Sequence, residues 1–346
     1  MHIEENVPLA PLTTFHIGGS ARYFVRVHTI GELIESLGWA RDDNVATYVL
    51  GGGSNTLVPD VGFDGLVIKI EIGGLELQKD IKKEHAVAED DKIVVTAGAG
   101  ESWDGVVAYA VERGLWGLEN LSGIPGTVGG AVWGNIGAYG ASVSQTLQWV
   151  EVYDKETEEV RQFDIGACAF GYRDSFFKQH AAQYVIVRAA FAQARTPRPN
   201  LSYKDLAVRF TNVQHPTLTD IREAVLAIRK EKFPDLLVEG TAGSFFKNPI
   251  LSKADADALV AKYPTMPVFA VPEADGVKIP LAWLLDKVLA LRGTSVGSAR
   301  LFERQPLVLV VSRGASSADV VALANTVRQK VSDTFSITLE QEVQEM

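Results

Sequence analysis

The sequence is poor in the residues that mark several common classes of protein. It contains a single cysteine, Cys168, and so has no internal disulfide. This is typical of a reducing compartment, and Cys168 is predicted to be a small buried hydrophobic residue. No apolar run approaches the ~20 residues that a membrane-spanning helix needs. Residues 1–8 lack the basic segment and apolar stretch of a signal peptide. These absences predict a cytoplasmic protein without membrane insertion.

Positive charge is also scarce, which limits the partners that the chain can bind. The 33 Lys and Arg residues face 43 Asp and Glu residues, giving a net charge of −10. Nucleic acids need a basic binding face, so a nucleic-acid partner is not expected. The six histidines are scattered without the spacing of metal ligands. No Gly-x-Ser-x-Gly motif or Cys/His pair marks a nucleophile, and no metal site is predicted.

Glycine, by contrast, is concentrated in two segments. Residues 117–140 contain eight glycines and few charges, and residues 51–53 are three glycines in a row after a β-rich run. Glycine lets bare backbone N–H groups approach a ligand closely. The two segments therefore predict a shared cradle for an anionic cofactor such as a pyrophosphate. A Rossmann site is not indicated, because residues 56–59 continue as an extended segment rather than a helix.

Short strands and later helices predict an α+β fold. β-Branched and aromatic runs predict strands at residues 23–27, 46–50, 66–72, 93–97, 150–153, 184–191, 307–311 and 336–343. A helix is predicted at 103–113 with Gly114 as its stop. Further helices are predicted at 220–232 (with Asp220 and Glu223 in capping-box spacing), 280–289 and 317–331. Residues 78–92 are charged and predict an exposed hairpin or loop, and residues 196–199 predict an interdomain linker.

Several segments, in a fixed order, resemble those of a known family. They are Thr14–Gly19, Gly51–Asn55, Gly117–Asn120, Ile124–Gly130, Asn135–Gly140, Gly171–Lys178, Ala242–Pro249 and Leu339–Val343. The family is that of the UDP-N-acetylenolpyruvoylglucosamine reductases, also called UDP-N-acetylmuramate dehydrogenases, which are flavoenzymes of peptidoglycan precursor synthesis. The resemblance spans nearly the whole chain. Tyr203 places the chain in the subgroup with an extra tyrosine loop.

The resemblance implies a fold, two domains and a reaction. The expected fold is an FAD-binding domain of the vanillyl-alcohol-oxidase type at 1–195, with subdomains at about 1–72 and 73–195. An α+β substrate-binding domain would follow at 196–346, with the C-terminal strand 336–343 returning to the active site. The family binds FAD non-covalently, takes a hydride from NADPH and passes it to the enolpyruvyl group of a UDP-sugar.

The same resemblance assigns the site residues. The expected catalytic residues are Arg173 and Glu342, which stabilise an enolate, and Ser244, which donates a proton. Burial would raise the pKa of Glu342 so that it acts in its protonated form. The predicted FAD-binding residues are Gly51, Gly52, Gly53, Ser54, Asn55, Gly123, Ile124, Pro125, Gly126, Thr127, Gly129, Gly130, Asn135, Gly137 and Ala138. The predicted substrate-binding residues are Tyr172, Tyr203, Lys232, Asn248 and Gln305.

Two positions depart from the family pattern. Phe269 stands near a position where the subgroup has a tyrosine, and Gln341 replaces the proline before the expected catalytic Glu342. Two other functions remain open from the sequence alone. One is a flavin oxidase or dehydrogenase of the same fold that acts on a different alcohol or hydroxy acid. The other is a flavin- or nucleotide-binding protein without turnover, against which the intact segment Gly243–Pro249 argues.

Overall fold

The computed structural model describes residues 1–79, 92–271, 276–312 and 314–346. This part of the chain forms two compact units. Unit 1 comprises Met1–Val7, Ala21–Gly52 and Asp64–Lys230, and unit 2 comprises Pro8–Ser20, Gly53–Phe63 and Glu231–Met346. No helix within these described residues has the length and apolar character that a membrane crossing requires.

Unit 1 contains two main sheets. The first has the order β1-β2-β5-β3, with β3 and β5 parallel, and its strands are β1 (Glu4–Pro8), β2 (Ser20–Val27), β3 (Thr47–Leu50) and β5 (Phe63–Ile70). The second has the order β11-β10-β12-β7-β6 and is antiparallel, and its strands are β6 (Leu75–Lys79), β7 (Lys92–Gly98), β10 (Leu147–Asp154), β11 (Glu159–Asp164) and β12 (Tyr184–Ala194). A small hairpin joins β8 (Gly137–Ala138) to β9 (Ala141–Ser142). The strands predicted between residues 23 and 191 are confirmed, and each end lies within three residues of the prediction.

Six helices accompany these sheets in the described part of unit 1. They are α1 (Ile30–Asp42), α2 (Trp103–Glu112), α3 (Val128–Trp133), α4 (Phe176–Gln179), α5 (Lys204–Arg209) and α6 (Leu218–Lys232). Gly114 ends α2 as predicted: its φ is +69°, and Leu115 N–H donates to the Ala110 carbonyl at 3.0 Å. Helix α1 was missed by the sequence analysis, although Thr29 and Glu32 form a capping box that the spacing shows.

One core cluster joins residues of both sheets of unit 1. Trp103 has no exposed surface, and its ring meets Phe191 edge-on with the centroids 5.6 Å apart. Strand β7 is buried along its whole length after Lys92, and its Ile93, Val95 and Ala97 belong to this cluster. Cys168 is buried as predicted, and burial raises the pKa of its thiol to about 12, so the thiol stays protonated.

Unit 2 is built from smaller sheets around a long helix. One antiparallel sheet has the order β13-β15-β14, with β13 at Ile250–Leu251, β14 at Phe269–Val271 and β15 at Gly276–Lys278. A second has the order β16-β17-β18, with β16 at Ser295–Val296, β17 at Ala299–Phe302 and β18 at Gln305–Val311. Strand β19 (Gln344–Glu345) pairs in parallel with β4 (Thr56–Leu57). Helix α9 (Ser317–Phe335) buries the face predicted from its periodicity, from Val320 to Val331. The other α-helices described in unit 2 are α7 (Lys253–Lys262) and α8 (Leu281–Trp283).

The structural division differs from the boundary expected at residue 196. The chain stays with unit 1 as far as Lys230, because Ile221, Val225 and Ile228 of α6 form a core cluster with Trp116 and others of that unit. The apolar face predicted for this helix is confirmed. Its cap, however, is Thr217, whose backbone N–H donates to Asp220 at 2.8 Å, so the capping pair lies one turn earlier than predicted.

Three other expectations need correction or comment. The strand predicted at 336–343 is wrong, because α9 extends to Phe335 and the strand that forms is β19 at Gln344–Glu345. The helix predicted at 280–289 is only three α-helical residues, followed by a π-helical turn at Leu284–Val288 that bonds Leu289 N–H to the Leu284 carbonyl. The hairpin or loop predicted at 78–92 lies mostly outside the described residues, while its two ends belong to β6 and β7.

A buried carboxylate closes the hairpin between β10 and β11. Asp154 has no exposed surface and accepts hydrogen bonds from Arg161 at 2.9 Å, Gln183 at 3.2 Å and the backbone N–H groups of Glu156 at 3.0 Å and Thr157 at 3.4 Å. Burial alone would raise the pKa of Asp154, but these donors outweigh it and lower the pKa from 3.8 to about 2.

This carboxylate predicts a specific dependence of stability on acid. Because the folded state holds Asp154 ionised, its contribution is complete above the unfolded pKa and is lost as the pH falls from 3.8 to about 2. We expect Asp154→Asn to lower the free energy of unfolding at pH 7 and to flatten its pH dependence in that interval, measured by urea unfolding. The control is Asp64→Asn, whose carboxylate is 85% exposed and pairs with Arg22 at 3.2 Å. Equal profiles for the two variants would contradict the assignment.

Candidate active site

The two glycine-rich segments touch each other in unit 1. Strand β3 leads directly into Gly51 and Gly52. A Cβ atom on Gly52 would lie 2.5 Å from the Gly126 Cα, and one on Gly51 would lie 2.9 Å from the Thr127 Oγ1. Side chains cannot approach that closely, so only glycine permits this packing. The backbones of the two segments predicted to share a cradle are therefore in contact.

The second segment is fixed to the end of β7 and the start of α2. Gly126 accepts a hydrogen bond from Trp103 N–H at 3.1 Å, and the Gly129 N–H donates to Ala99 at 2.9 Å. Thr127 lies between these anchors. Its Oγ1 is buried and has no hydrogen-bond partner among the described residues. A buried hydroxyl without a partner is costly, which is consistent with a ligand group that completes its bonding.

Gly123, at the start of this segment, is held from both sides. Its N–H donates to Asp104 at 2.6 Å, and its carbonyl accepts from the Arg229 Nε at 2.9 Å. Arg222 forms two hydrogen bonds to Asp104, at 2.6 and 2.8 Å. Burial opposes the ionised form of Asp104, but the bonds from Arg222 and Gly123 outweigh it and lower its pKa. Burial lowers the pKa of Arg229. Side chains of α2 and α6 therefore fix the backbone of Gly123 together.

Arg173 lies against residues 135–138, which contain the predicted FAD-binding residues Asn135, Gly137 and Ala138. Its guanidinium donates to the Gly137 carbonyl at 2.5 Å, and its φ of +54° is unusual for a residue with a side chain. Asn135 donates to the Gly171 carbonyl at 2.8 Å, which ties this segment to the turn that carries Arg173. Lys178 donates to the Arg173 carbonyl at 3.1 Å. The structure thus brings a predicted catalytic residue to a predicted cofactor-binding segment.

The tyrosine segment is fastened to the same part of unit 1. The rings of Tyr203 and Tyr139 meet edge-on with centroids 5.2 Å apart. Asn120 donates to the carbonyls of Tyr139 at 2.7 Å and Asn200 at 2.9 Å, and Asn200 donates to Gly140 at 2.9 Å. Tyr203 itself is 38% exposed. The two amides therefore fasten the backbone before Tyr203 to residues 139–140, while the Tyr203 side chain remains partly open to solvent.

Tyr172 precedes Arg173 in the sequence, and its ring also lies close to the Arg173 guanidinium. The Arg173 guanidinium carbon lies 5.5 Å from the centre of the Tyr172 ring, within cation–π range. The ring is half-buried. It therefore limits the directions in which the guanidinium can point.

Ser244 and Glu342 belong to adjacent backbone segments of unit 2. Ser244 pairs with Val308 of β18, and Phe245 N–H donates to Leu307 at 2.8 Å. On its other side, the Phe245 carbonyl accepts from Glu342 N–H at 2.8 Å. Gly243, just before Ser244, has a φ of +79° that favours glycine. The two predicted catalytic residues of unit 2 therefore lie on backbone segments that are hydrogen-bonded to each other through Phe245.

Gln341 anchors Glu342 where the family has proline. Its amide donates to the Val343 carbonyl at 3.0 Å and to Glu345 at 3.0 Å, and its oxygen accepts from Arg328. The amide of Asn55 donates to the Glu342 carbonyl at 3.1 Å, so the side chain of this predicted FAD-binding residue fixes the backbone of a predicted catalytic residue. A glutamine therefore supplies by hydrogen bonds the fixation that proline would supply by its ring.

The remaining predicted residues are placed as follows. The Asn248 Oδ1 accepts from Leu281 N–H at 2.9 Å, at the start of α8. Lys232 ends α6, Gln305 begins β18 and both are half-buried. Phe269 of β14 is 49% exposed, with the Lys278 ammonium 5.9 Å from the ring centre. In unit 2, a Cβ on Gly53 would lie 2.1 Å from the Leu12 carbonyl oxygen. Arg173, Tyr172 and Tyr203 lie in unit 1, whereas Ser244, Glu342, Lys232, Asn248 and Gln305 lie in unit 2.

Comparisons with known proteins agree with this arrangement along the chain. A model of an FAD-binding domain matches residues 21–163, and a model of the UDP-N-acetylenolpyruvoylglucosamine reductase C-terminal domain matches residues 235–346. UDP-N-acetylenolpyruvoylglucosamine reductases from Burkholderia cenocepacia and Pseudomonas fluorescens are 41% and 36% identical to this chain. The alignments cover 97% and 99% of this chain and 94% and 98% of the relatives.

The chain belongs to the UDP-N-acetylenolpyruvoylglucosamine reductase family. The crystal structure of the reductase from Thermus caldophilus matches it with a TM-score of 0.67 at 25% identity, covering 100% of this chain and 99% of that one. The expected order of an FAD-binding domain followed by an α+β domain is confirmed. This reductase is therefore a flavoenzyme.

The cradle of the reductase fits the FAD that its family model implies. Gly51, Gly52 and Gly126 leave no side chain between the two segments, and Thr127 offers a buried hydroxyl. Bare amides and a hydroxyl are suitable partners for a diphosphate. The side chains of Asn135 and Asn55 donate to the backbone carbonyls of Gly171 and Glu342.

Sequence reasoning missed three charged residues at the cradle of the reductase. Arg229 lies one turn before the predicted Lys232 in α6, and Asp104 and Arg222 are 118 residues apart in the sequence. The pairing of Asp104 with Arg222 has no local signal. Arg229 could have been found from the helical periodicity, since it follows the buried face by one position.

We expect Gly52→Ala to weaken FAD binding, because its methyl group would push the Gly126 backbone away. Overpacking of this kind costs about 1–3 kcal/mol. The control is Gly38→Ala in α1, where a Cβ meets no atom within 4 Å. That change should raise the free energy of unfolding by up to about 1 kcal/mol and leave FAD binding unchanged. FAD titration of the apoprotein tests both, and wild-type affinity in Gly52→Ala would refute the close-contact account.

We expect Asp104→Asn and Arg222→Met each to lower the free energy of unfolding by about 1–3 kcal/mol, because each leaves a partly buried charged partner unsatisfied. The double variant should lose less than the sum, since the two side chains bond to each other. Urea unfolding of the four proteins measures this. Asp257→Asn serves as the control, because its pair with Lys253 is 65–80% exposed and should contribute little. Additive losses would show that the pair is not coupled.

Proposed function

We propose that this reductase converts UDP-N-acetylglucosamine enolpyruvate into UDP-N-acetylmuramate, with NADPH as hydride donor and FAD as carrier, in cytoplasmic peptidoglycan precursor synthesis. The observation that carries the proposal is the match of both domains to relatives of this name at 36–41% identity. The placement of Arg173 against Gly137 of the FAD-binding domain supports it. So does the adjacency of the Ser244 and Glu342 segments.

Bound FAD would supply a hydride acceptor and donor between the nicotinamide and the enolpyruvyl group. Addition of hydride to the methylene carbon of the double bond moves an electron pair toward the carbon that bears the carboxylate. The product of this step is an enolate with its charge spread over the carboxylate oxygens. An Arg173 guanidinium can bind such oxygens in a bidentate manner and stays charged at any working pH. Its proposed role is to stabilise that enolate.

Ser244 and Glu342 complete the proposed chemistry. Ser244 gives its hydroxyl proton to the carbon beside the carboxylate, which forms the lactyl ether, and solvent restores the proton. Glu342 is proposed to lie beside the carboxylate or the ether oxygen of the substrate. The Glu342 N–H bonds to the carbonyl of Phe245, the residue after Ser244, so this backbone hydrogen bond limits the relative position of the two side chains.

The UDP group requires cations and hydrogen-bond donors. Lys232 would supply a point charge, Asn248 and Gln305 amide donors, and Tyr203 and Tyr172 hydroxyls. The amide nitrogen of Asn248 is suitable because its oxygen is the atom that accepts from Leu281 N–H. Phe269 offers no hydroxyl, so the proposed diphosphate contacts rely on the other residues.

The test is an anaerobic experiment in two steps. FAD-loaded enzyme is reduced with NADPH, or with NADH in a parallel sample, and UDP-N-acetylglucosamine enolpyruvate is then added while the flavin absorbance is followed. Return of the oxidised spectrum supports the proposed donor and acceptor together. A flavin that stays reduced with this substrate but is reoxidised by dioxygen would replace the proposal with an oxidase.

Ser244→Ala separates the two half-reactions. We expect flavin reduction by NADPH to proceed at the wild-type rate and flavin reoxidation by substrate to slow by about 10²-fold or more, the usual contribution of a positioned proton donor. Stopped-flow absorbance measures both rates. The matched control is Ser295→Ala in β16, whose side chain is exposed and should affect neither step. Equal slowing of both half-reactions by Ser244→Ala would contradict its role as proton donor.

A further inference from the structure

A lysine of β5 reaches the first glycine segment from the neighbouring parallel strand. Lys69 stands opposite Leu50 in the register of β5 and β3, and its ammonium donates a hydrogen bond to the Gly51 carbonyl, one residue further along. Lys69 is half-buried, and this is the one hydrogen bond of its side chain among the described residues. The sequence analysis did not single it out.

No carboxylate among the described residues lies within 4.0 Å of the Lys69 ammonium. The nearest acidic group in sequence, Glu71, bonds instead to Arg26 at 2.5 Å and lies 3.8 Å from the His28 ring. Burial lowers the pKa of Lys69, although Glu71 opposes this effect and Arg26 adds to it. A partly buried cation whose partner is a neutral carbonyl is expensive to maintain unless its charge is used.

The geometry of the peptide bond links the Gly51 carbonyl to the N–H of the next residue. The C=O and N–H of a trans peptide point in opposite directions. The Gly51–Gly52 peptide is trans. With the Gly51 carbonyl turned to Lys69, the Gly52 N–H points to the other side, and it has no acceptor among the described residues. Gly52 also packs against Gly126 of the second glycine segment.

We propose that Lys69 is a positioning residue for FAD: by holding the Gly51 carbonyl, it turns the Gly52 N–H toward the diphosphate of the cofactor. The cation at one end of the peptide also polarises it, which makes the N–H at the other end a stronger donor. Its charge adds a favourable field for a dianion. The inference rests on the FAD-binding domain and deepens it, because it names a side chain that acts through the backbone.

The test compares Lys69→Met, which removes the charge at similar length, with Lys69→Arg, which keeps it. The control is Lys155→Met: Lys155 is another half-buried lysine of unit 1 whose pKa burial lowers, but it lies in the turn after β10. FAD titration of each apoprotein, monitored by flavin fluorescence, gives the dissociation constant. Thermal unfolding of the same apoproteins reports stability, and phosphorus NMR of the FAD-loaded proteins reports the environment of the diphosphate.

We expect Lys69→Met to weaken FAD binding by about tenfold or more, the scale of a charge-assisted hydrogen bond. Its bound FAD should show shifted phosphorus resonances, while its apoprotein unfolds at the same temperature as Lys155→Met. Lys69→Arg should restore the affinity and the resonances, and Lys155→Met should leave both as in the wild type. Wild-type affinity and resonances in Lys69→Met would overturn the inference. Failure of the wild-type apoprotein to bind FAD would overturn the cofactor assignment itself, a result distinguishable because it appears before any substitution.

Discussion

The structure of unit 1 depends on the direct backbone contact between Gly52 and Gly126. The ideal Cβ of Gly52 would lie 2.5 Å from the Gly126 Cα, so neither segment could hold its position if side chains were present there. The contact brings the end of a parallel strand to a segment fixed on Trp103 and Ala99. The buried Thr127 hydroxyl lies next to this contact, since a Cβ on Gly51 would be 2.9 Å from its Oγ1.

Around this contact, charged side chains act mainly on backbone atoms. Arg229 and Asp104 bind the carbonyl and N–H of Gly123, Lys69 binds the Gly51 carbonyl, and Arg173 binds the Gly137 carbonyl. Glycine loops lose more conformational entropy than other segments when they become ordered. Half-buried ions that bind their carbonyls offset this cost. The cradle is therefore specified by distant residues as much as by its own sequence.

The sequence predicted what depends on local patterns and missed what depends on tertiary pairing. The face of α9 and the Gly114 stop follow from helical periodicity and from positive φ, and both were found. The strand at 336–343 was wrong because alternation there reflects one-sided packing against Phe245 and Phe246 rather than a regular ladder. Asp104, Arg222 and Lys69 were missed because their partners are remote in sequence or are backbone atoms. The resemblance supplied the candidate catalytic residues, and the structure supplied the contacts that position them.

Asn55 and Glu342, which are hydrogen-bonded to each other, lie 287 residues apart in the sequence. This distance affects how the chain folds while it is being synthesised. Unit 2 collects Pro8–Ser20, Gly53–Phe63 and Glu231–Met346, and its β19 strand completes β4. Contacts of such long range slow folding, because the entropy of the intervening loop is lost before the contacts stabilise the chain. During synthesis, Thr56 and Leu57 have no strand partner until Gln344 and Glu345 have been made. An unpaired strand edge of this kind is a site at which a chaperone is useful.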